Sequence, residues 1–148
     1  MHIVIFAATR RGLLFIQKAN EILPEAKLSV FCFKEDENEP PFFENIRLFV
    51  DTIKGNFYEA RNVGLPKYNS YWEDIGEIDV AFCVSWRYMI SAHVYDRPTR
   101  GTFVFHDSLL PKYRGFAPTV WSIINGESHT GVTLMKIAED VDAGDIVD

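Results

Sequence analysis

His106, Asp107 and Ser108 stand in a row where the apolar run Phe103 to Phe105 stops, and they are the residues best suited to chemistry. Three more carboxylates, Asp140, Asp142 and Asp145, gather around Gly144 near the end of the chain. An unperturbed imidazole titrates near neutrality, so His106 is the natural general acid or base. Asp142 or a neighbour, brought back by the intervening helix and strand, would orient that ring or hold its protonated form. A hydrogen-bonded histidine that merely ends a strand is the plain alternative. Ser108 invites a nucleophile reading, but no G-x-S-x-G elbow surrounds it, and adjacent residues of extended chain point apart. The aspartates miss the spacing of a calcium loop and have no histidine or cysteine ligand set beside them, so no metal is expected.

A second group lies near the start, at Thr9-Arg10-Arg11-Gly12. It has one glycine where a dinucleotide fingerprint needs three. Two arginines in the first turn of a helix oppose the helix dipole, which suits an anion site; a solvated charged turn is the alternative.

These residues need a scaffold, and the hydrophobic pattern describes one. Met1 to Ala8 is a continuous apolar run with the β-branched content of a strand buried on both faces. Gly12 to Ile22 carries apolar residues at helical spacing, with Thr9 available as a cap and Pro24 as a stop. Leu28 to Phe33 is a second strand, and Lys34 to Pro41 a surface loop. Ile46 to Ile53 fits either a helix or a strand. Gly55, Asn56, Gly64 and Pro66 mark a loop-rich region, and Tyr71 to Ile78 a short helix or turn. Asp79 to Ser85 is another buried strand. Trp86, Arg87 and Tyr88 follow at its carboxyl end, where open sheets bind ligands. Ser91 to Asp96 is a short helix, Thr102 to Phe105 a strand, and Pro118 to Asn125 a helix on the spacing of Val120, Trp121, Ile123 and Ile124. Thr130 to Ile137 is the last strand, and Asp142 to Gly144 a tight loop. Together these predict an α/β protein with a Rossmann-like, doubly wound, mostly parallel sheet and helices on both faces.

Composition narrows the partners. The 148 residues, 47% of them apolar, suit a single domain over residues 1–148 with a sizeable core. The abrupt stop at Asp148 fits either a fragment of something longer or a docked terminal strand. A net charge of -6, with 15 Lys and Arg spread through the chain, disfavours nucleic acid. Cys32 and Cys83 read as buried thiols, which suggests a reducing compartment, and the apolar run at the N-terminus is far too short to span a bilayer.

One resemblance is specific. His106-Asp-Ser-Leu-Leu-Pro-Lys-Tyr-Arg-Gly-Phe-Ala-Pro118, then Trp121, Asn125-Gly-Glu127, Thr130-Gly-Val-Thr133 and Asp142-Ala-Gly-Asp-Ile-Val147 resemble the folate-dependent formyltransferase superfamily. That superfamily includes enzymes acting on glycinamide ribonucleotide, methionyl-tRNA and sugar-nucleotide amines, and the wording is closest to the sugar N-formyltransferases. The likeness covers the last third of the chain closely. It implies transfer of a formyl group from 10-formyltetrahydrofolate to the primary amine of a small molecule, with an amino-sugar nucleotide preferred and methionyl-tRNA as an alternative. It also implies a cytoplasmic enzyme and is compatible with a homodimer. The catalytic pair carries over to His106 and Asp142. The cofactor would be lined by Trp86, Tyr88, Met89, Ile90, Ser108, Leu109, Leu110, Pro111 and Asp140, and the substrate by Arg10, Arg114 and Gly115.

The sequence departs from the family at one place. The family's trio places an asparagine two residues before the histidine, and Val104 stands there instead. Positions i and i+2 of a strand share a face, so Val104 points where the amide would. Losing one donor to a developing oxyanion costs about 3 kcal/mol, a hundredfold or more in rate. A weakly active or inactive ligand-binding homologue is therefore the competing expectation.

Overall fold

Residues His2–Ala7 form β1, and all six are buried. A strand covered on both faces needs no polar side, which is why its sequence runs apolar without alternation. β2 (Lys27–Cys32), β3 (Asn56–Glu59), β4 (Val80–Val84) and β5 (Thr102–His106) extend the sheet in parallel. β6 (Thr133–Lys136) closes it antiparallel to β5. In this computed structural model, which describes residues 1–148, the strand order is β3-β2-β1-β4-β5-β6. The chain starts in the middle, winds outward to β3, and crosses back to β4 on the other side of β1.

Alternation of side chains along β1 divides the core in two. Ile3, Ile5 and Ala7 pack with Ile16 of α1 (Thr9–Ile22) and with Phe43, Ile46 and Val50 of α2 (Phe43–Thr52). Val4 and Phe6 face the opposite way, toward Trp72 and Ile75 of α3 (Asn69–Ile75) and Val94 of α4 (Ala92–Tyr95). Helices on both faces of a largely parallel sheet make the expected Rossmann-like, doubly wound arrangement. Each wholly buried aliphatic side chain in these layers contributes about 1.5–3 kcal/mol.

The ambiguous stretch at Ile46 to Ile53 is helical because Phe43, Ile46 and Val50 fall three and four residues apart on one buried stripe. β3 lies inside the region expected to be loop. It is a four-residue edge strand that opens on Asn56 and is only partly buried, so its alternation is too brief to register. The last strand is shorter than Thr130 to Ile137. The terminal residues dock beside it: Leu134 N–H donates to Asp148 O at 2.7 Å, and Met135 bridges to Ile146. Both cysteines are buried free thiols, as expected. Burial pushes the Cys32 thiol up to about 12 and the Cys83 thiol higher still.

α5 (Pro118–Ile124) is a helix for a different reason than its sequence spacing suggests. Its buried residue is Ser122, while Val120, Trp121, Ile123 and Ile124 are 53%, 52%, 73% and 66% exposed. The Ser122 hydroxyl donates to Pro118 O at 3.1 Å and lies 3.4 Å from Thr130 Oγ1, which ties the helix to the segment entering β6.

Candidate active site

The connections leaving β1 and β4 run to opposite sides of the sheet, so a crevice opens between their carboxyl ends. Thr9 follows β1 at that edge, Ser85 and Trp86 follow β4, and His106 ends β5. Phe105 points to the α1 face, with its ring 5.2 Å from that of Phe15. Val104 packs on the α3/α4 face, and pleating puts His106 on the same side.

His106 is 7% exposed and held by two acceptors. Its Nε2 lies 2.8 Å from Tyr113 O, and its Nδ1 lies 3.4 Å from Asp142 Oδ2. Gly115 N–H donates to that same carboxylate oxygen at 2.7 Å. A ring carrying a proton on each nitrogen donates to both acceptors; a proton on Nε2 alone turns a lone pair toward the carboxylate. Asp142 reaches this position from an unexpected direction. Thr133 of β6 pairs with His106, and the strand then runs away from it, so the loop after β6 must come back over the sheet face to present Asp142.

The loop between β5 and α5 is shaped from within. Ser108 is 0% exposed, and its hydroxyl donates to Lys112 O at 2.6 Å. Thr133 Oγ1 donates to Ser108 O at 2.7 Å and accepts from Leu110 N–H at 3.2 Å. Lys112 and Tyr113 both reach Glu127, at 3.1 and 2.8 Å. Tyr113, Gly115 and Ala117 have left-handed backbone, with φ of 58°, 92° and 54°. Thr9, Ser85 and Asp142 do likewise, at 62°, 56° and 49°. Non-glycine residues in this region carry strain, and strained positions concentrate where a structure holds a site in place.

The other expected site residues separate into groups. Ser108, expected to line the cofactor, is enclosed, and its hydroxyl is committed to Lys112 O. Leu109, 54% exposed, and Pro111 stand outward, while Leu110 is half-buried. Trp86 packs 5.5 Å from Phe6 and 5.2 Å from Phe33, so it closes the core, yet its Nε1–H is buried without a hydrogen-bond partner. Tyr88 stands edge-on to Phe33 at 4.9 Å, Met89 is 69% exposed, and Ile90 is buried in the core. Asp140, Arg10 and Arg114 are exposed. Gly115 meets the Asp142 carboxylate through its own N–H.

Sequence reasoning missed the supports. Arg11 pairs with Asp107, tying the first turn of α1 to the end of β5. Asp107 thus faces away from His106, as strand alternation requires. Arg11 N–H also donates to Thr9 Oγ1 at 3.3 Å, but the N-cap is Ala8 and Thr9 is the first residue of the helix, so Thr9 is not the cap its type suggested. Tyr113 O carried no signal, because a carbonyl leaves none in a sequence, and Thr133 stood out only as the end of a motif, with nothing to announce its bonds to Ser108 and Leu110. Of the surface hollows, one of about 270 Å³ is lined by Phe33, Lys34, Glu59, Ala60, Arg61, Tyr68 and Tyr71. Another, of about 220 Å³, lies by Arg100 and Lys136. Neither includes His106. No helix is long and apolar enough to cross a membrane.

Comparison with known proteins gives this geometry a context. A family model described as "Formyl transferase" matches residues 12–148. Phosphoribosylglycinamide formyltransferase from Bacillus halodurans is similar in fold at 15% identity and a TM-score of 0.73, over 100% of this chain and 77% of that one. Glycinamide ribonucleotide transformylase 1 from Geobacillus kaustophilus is similar at 18% identity and a TM-score of 0.75, over 99% of this chain and 79% of that one. The formyltransferase PseJ from Anoxybacillus kamchatkensis, solved with UDP-4,6-dideoxy-4-formamido-L-AltNAc and tetrahydrofolate, is similar at 19% identity and a TM-score of 0.55. All of this chain is covered there, and 58% of PseJ.

Proposed function

The chain belongs to the formyl transferase family, and from that premise we propose that it moves a formyl group from 10-formyltetrahydrofolate to the amine of a small molecule, with an amino-sugar nucleotide as preferred acceptor. The observation that carries the reading is the contact of His106 Nδ1 with Asp142 Oδ2 at 3.4 Å, on a ring whose other nitrogen is held by Tyr113 O.

In this reading Asp142 fixes the ring and balances the charge of its doubly protonated form. Once turned from Tyr113 O, the Nε2–H of His106 is the proton to place near a developing oxyanion, and after that proton has left with the departing amine of the formyl donor the freed nitrogen can take one up from the attacking amine. Gly115 N–H keeps the carboxylate from turning away. Asp107 is prevented from adding a competing negative charge, because Arg11 holds it on the other side of β5.

The residues past β4 fit a flat, hydrogen-bonding ring system. Trp86 offers a donor that lacks a protein partner, and Met89 and Leu109 offer exposed apolar surface. Trp86, Tyr88, Met89, Ile90, Leu109, Leu110, Pro111 and Asp140 are therefore proposed to hold the folate, which when bound supplies the formyl carbon. Arg10 and Arg114, both exposed, are proposed to meet the anionic part of the acceptor. The amino-sugar preference is supported by the acidic balance of the chain and by the sugar nucleotide bound in PseJ.

The test is incubation with 10-formyltetrahydrofolate and one acceptor at a time: a UDP-linked 4-amino-4,6-dideoxy sugar, glycinamide ribonucleotide and methionyl-tRNA. Formylated product is read by mass spectrometry. Product from the sugar nucleotide that disappears in His106→Ala is the expected result. Product from glycinamide ribonucleotide or methionyl-tRNA alone overturns the acceptor assignment, and turnover that survives His106→Ala overturns the mechanism. Val104 favours a second reading, a folate-binding homologue with little turnover, since an apolar side chain occupies the face where a donor belongs. Folate binding without any formylated product selects that reading.

A further inference from the structure

Asn125-Gly-Glu127 closes α5, and the closure aims a carboxylate. Gly126 has left-handed backbone, with φ of 66°, and its N–H donates to Ile123 O at 3.0 Å. Glu127 N–H then reaches back to Ser122 O, also at 3.0 Å. A helix end of this kind favours glycine at the left-handed position, and the next residue commonly packs an apolar side chain back on the helix. Here that next residue is Glu127 and its counterpart in the helix is Ser122, so the position supplies no apolar contact.

The carboxylate is turned instead to the loop that holds His106. Its Oε1 accepts from Tyr113 OH at 2.8 Å and from Lys112 Nζ at 3.1 Å. The Tyr113 hydroxyl, and after it Lys112, draws the Glu127 carboxyl below its usual range, so the acceptor is charged near neutrality. Tyr113 is also the residue whose carbonyl lies 2.8 Å from His106 Nε2, and it stands at a φ of 58° that tyrosine does not adopt freely. Ser108 fixes the backbone one residue earlier, through Lys112 O. Glu127 fixes the Tyr113 side chain. The neutral imidazole has one proton to place, and its two acceptors compete for it. Asp142, at 3.4 Å, draws it to Nδ1 and would leave Nε2 bare; Tyr113 O, at 2.8 Å, draws it to Nε2. The hydrogen bond made by one nitrogen thus decides the state of the other.

We infer that Glu127 is a positioning residue for His106: through the Tyr113 hydroxyl it holds the Tyr113 carbonyl where the neutral ring keeps its proton on Nε2. The consequence for rate rests on the formyl-transfer reading, and the consequence for the ring does not. Heteronuclear NMR of the histidine side chains, well above neutral pH and without substrate, reads the tautomer; the His106 signal is assigned by its loss in His106→Ala. The wild-type ring should carry its proton chiefly on Nε2. Glu127→Ala should shift the ratio toward Nδ1 by about tenfold, the upper end for one net hydrogen bond. At the same pH it should lower kcat by a comparable factor, with KM unchanged. Glu127→Gln keeps an oxygen for the Tyr113 hydroxyl and should preserve the wild-type ratio. Tyr113→Phe should reproduce the alanine shift, and the two changes together should exceed neither alone. Circular dichroism melts establish that each variant is folded. A wild-type ring protonated on Nδ1 overturns the inference. So does a tautomer that either Glu127→Ala or Tyr113→Phe leaves unchanged, and so does a ratio that glutamine shifts as far as alanine. A wild-type protein that formylates no acceptor overturns the formyl-transfer reading, and the NMR result still decides the role of Glu127.

Discussion

Replacing Val104 by asparagine should raise turnover while lowering stability, and the two effects can be sized separately. Val104 lies in β5 with Cys83 of β4 and Met135 of β6 as its register neighbours. It packs against the core on the α3/α4 face, and His106 follows two residues later on the same side. One oxyanion donor is worth about 3 kcal/mol, so kcat should rise by about a hundredfold. KM for either substrate should change little, because the new bond forms as charge develops. In the unliganded protein the same amide lacks a partner in apolar surroundings, which costs about 1–3 kcal/mol. A cost of about 2 kcal/mol lowers the Tm of a domain this size by about 4–8 °C. Initial rates of formylated product with 10-formyltetrahydrofolate, paired with a circular dichroism melt, read both. Val104→Leu separates the chemistry from packing, since it keeps the apolar face and adds no donor. A stability loss with no gain in rate, in a protein that His106→Ala still inactivates, would show that position 104 does not face the reacting carbonyl. An equal gain from leucine would refute the hydrogen-bond argument outright.

Three further outcomes follow from the same geometry. Ala117→Gly should stabilise the fold by about 1 kcal/mol, because Ala117 sits at φ 54° and glycine does not pay for that conformation; a higher urea midpoint at constant m-value checks it. His2 is buried, with one nitrogen 2.8 Å from Ser29 Oγ and the other 2.9 Å from Glu77 O, and burial pulls its pKa below 6.5. The unfolded chain therefore takes up this proton first, so stability is full above 6.5 and is lost as pH falls toward the lowered folded value. Urea midpoints across that window should show the slope, and His2→Gln should flatten it. Arg10→Ala should raise KM for an anionic acceptor several-fold while leaving kcat and folate affinity unchanged, as steady-state kinetics will show.

What a sequence exposes depends on how the information is carried. β1 was legible because a strand buried on both faces leaves no polar position to blur the pattern, and β4 was legible for the same reason. β3 was hidden by being an edge strand of four residues. α2 stayed ambiguous until Phe43, outside the stretch weighed, supplied the first member of its buried stripe. α5 was identified on apolar residues that turn out to face outward, so its position was right and its orientation was not. At the site, residue types announced His106 and Asp142. That Ser108 braces its loop through Lys112 O was not legible, because a hydroxyl has the same letter whether it lines a cleft or braces a loop. The direction from which Asp142 arrives depends on β6 being antiparallel, and strand direction is a property of the assembled sheet.

The left-handed residues along the carboxyl edge have a consequence for how the molecule breathes. Thr9, Ser85, Tyr113, Ala117 and Asp142 release strain when their segments open, whereas the middle of β1 loses buried contacts on both faces and gains nothing. Amide hydrogen exchange should therefore divide the chain into two classes. The β1, β2 and β4 amides exchange only when the whole domain unfolds, and those of residues 113–117 and 138–144 exchange through cheap local excursions. His106 sits on the border, its backbone in the slow sheet and both of its ring partners on fast loops. In that pattern the imidazole keeps a fixed base while the contacts on its two nitrogens open with their loops.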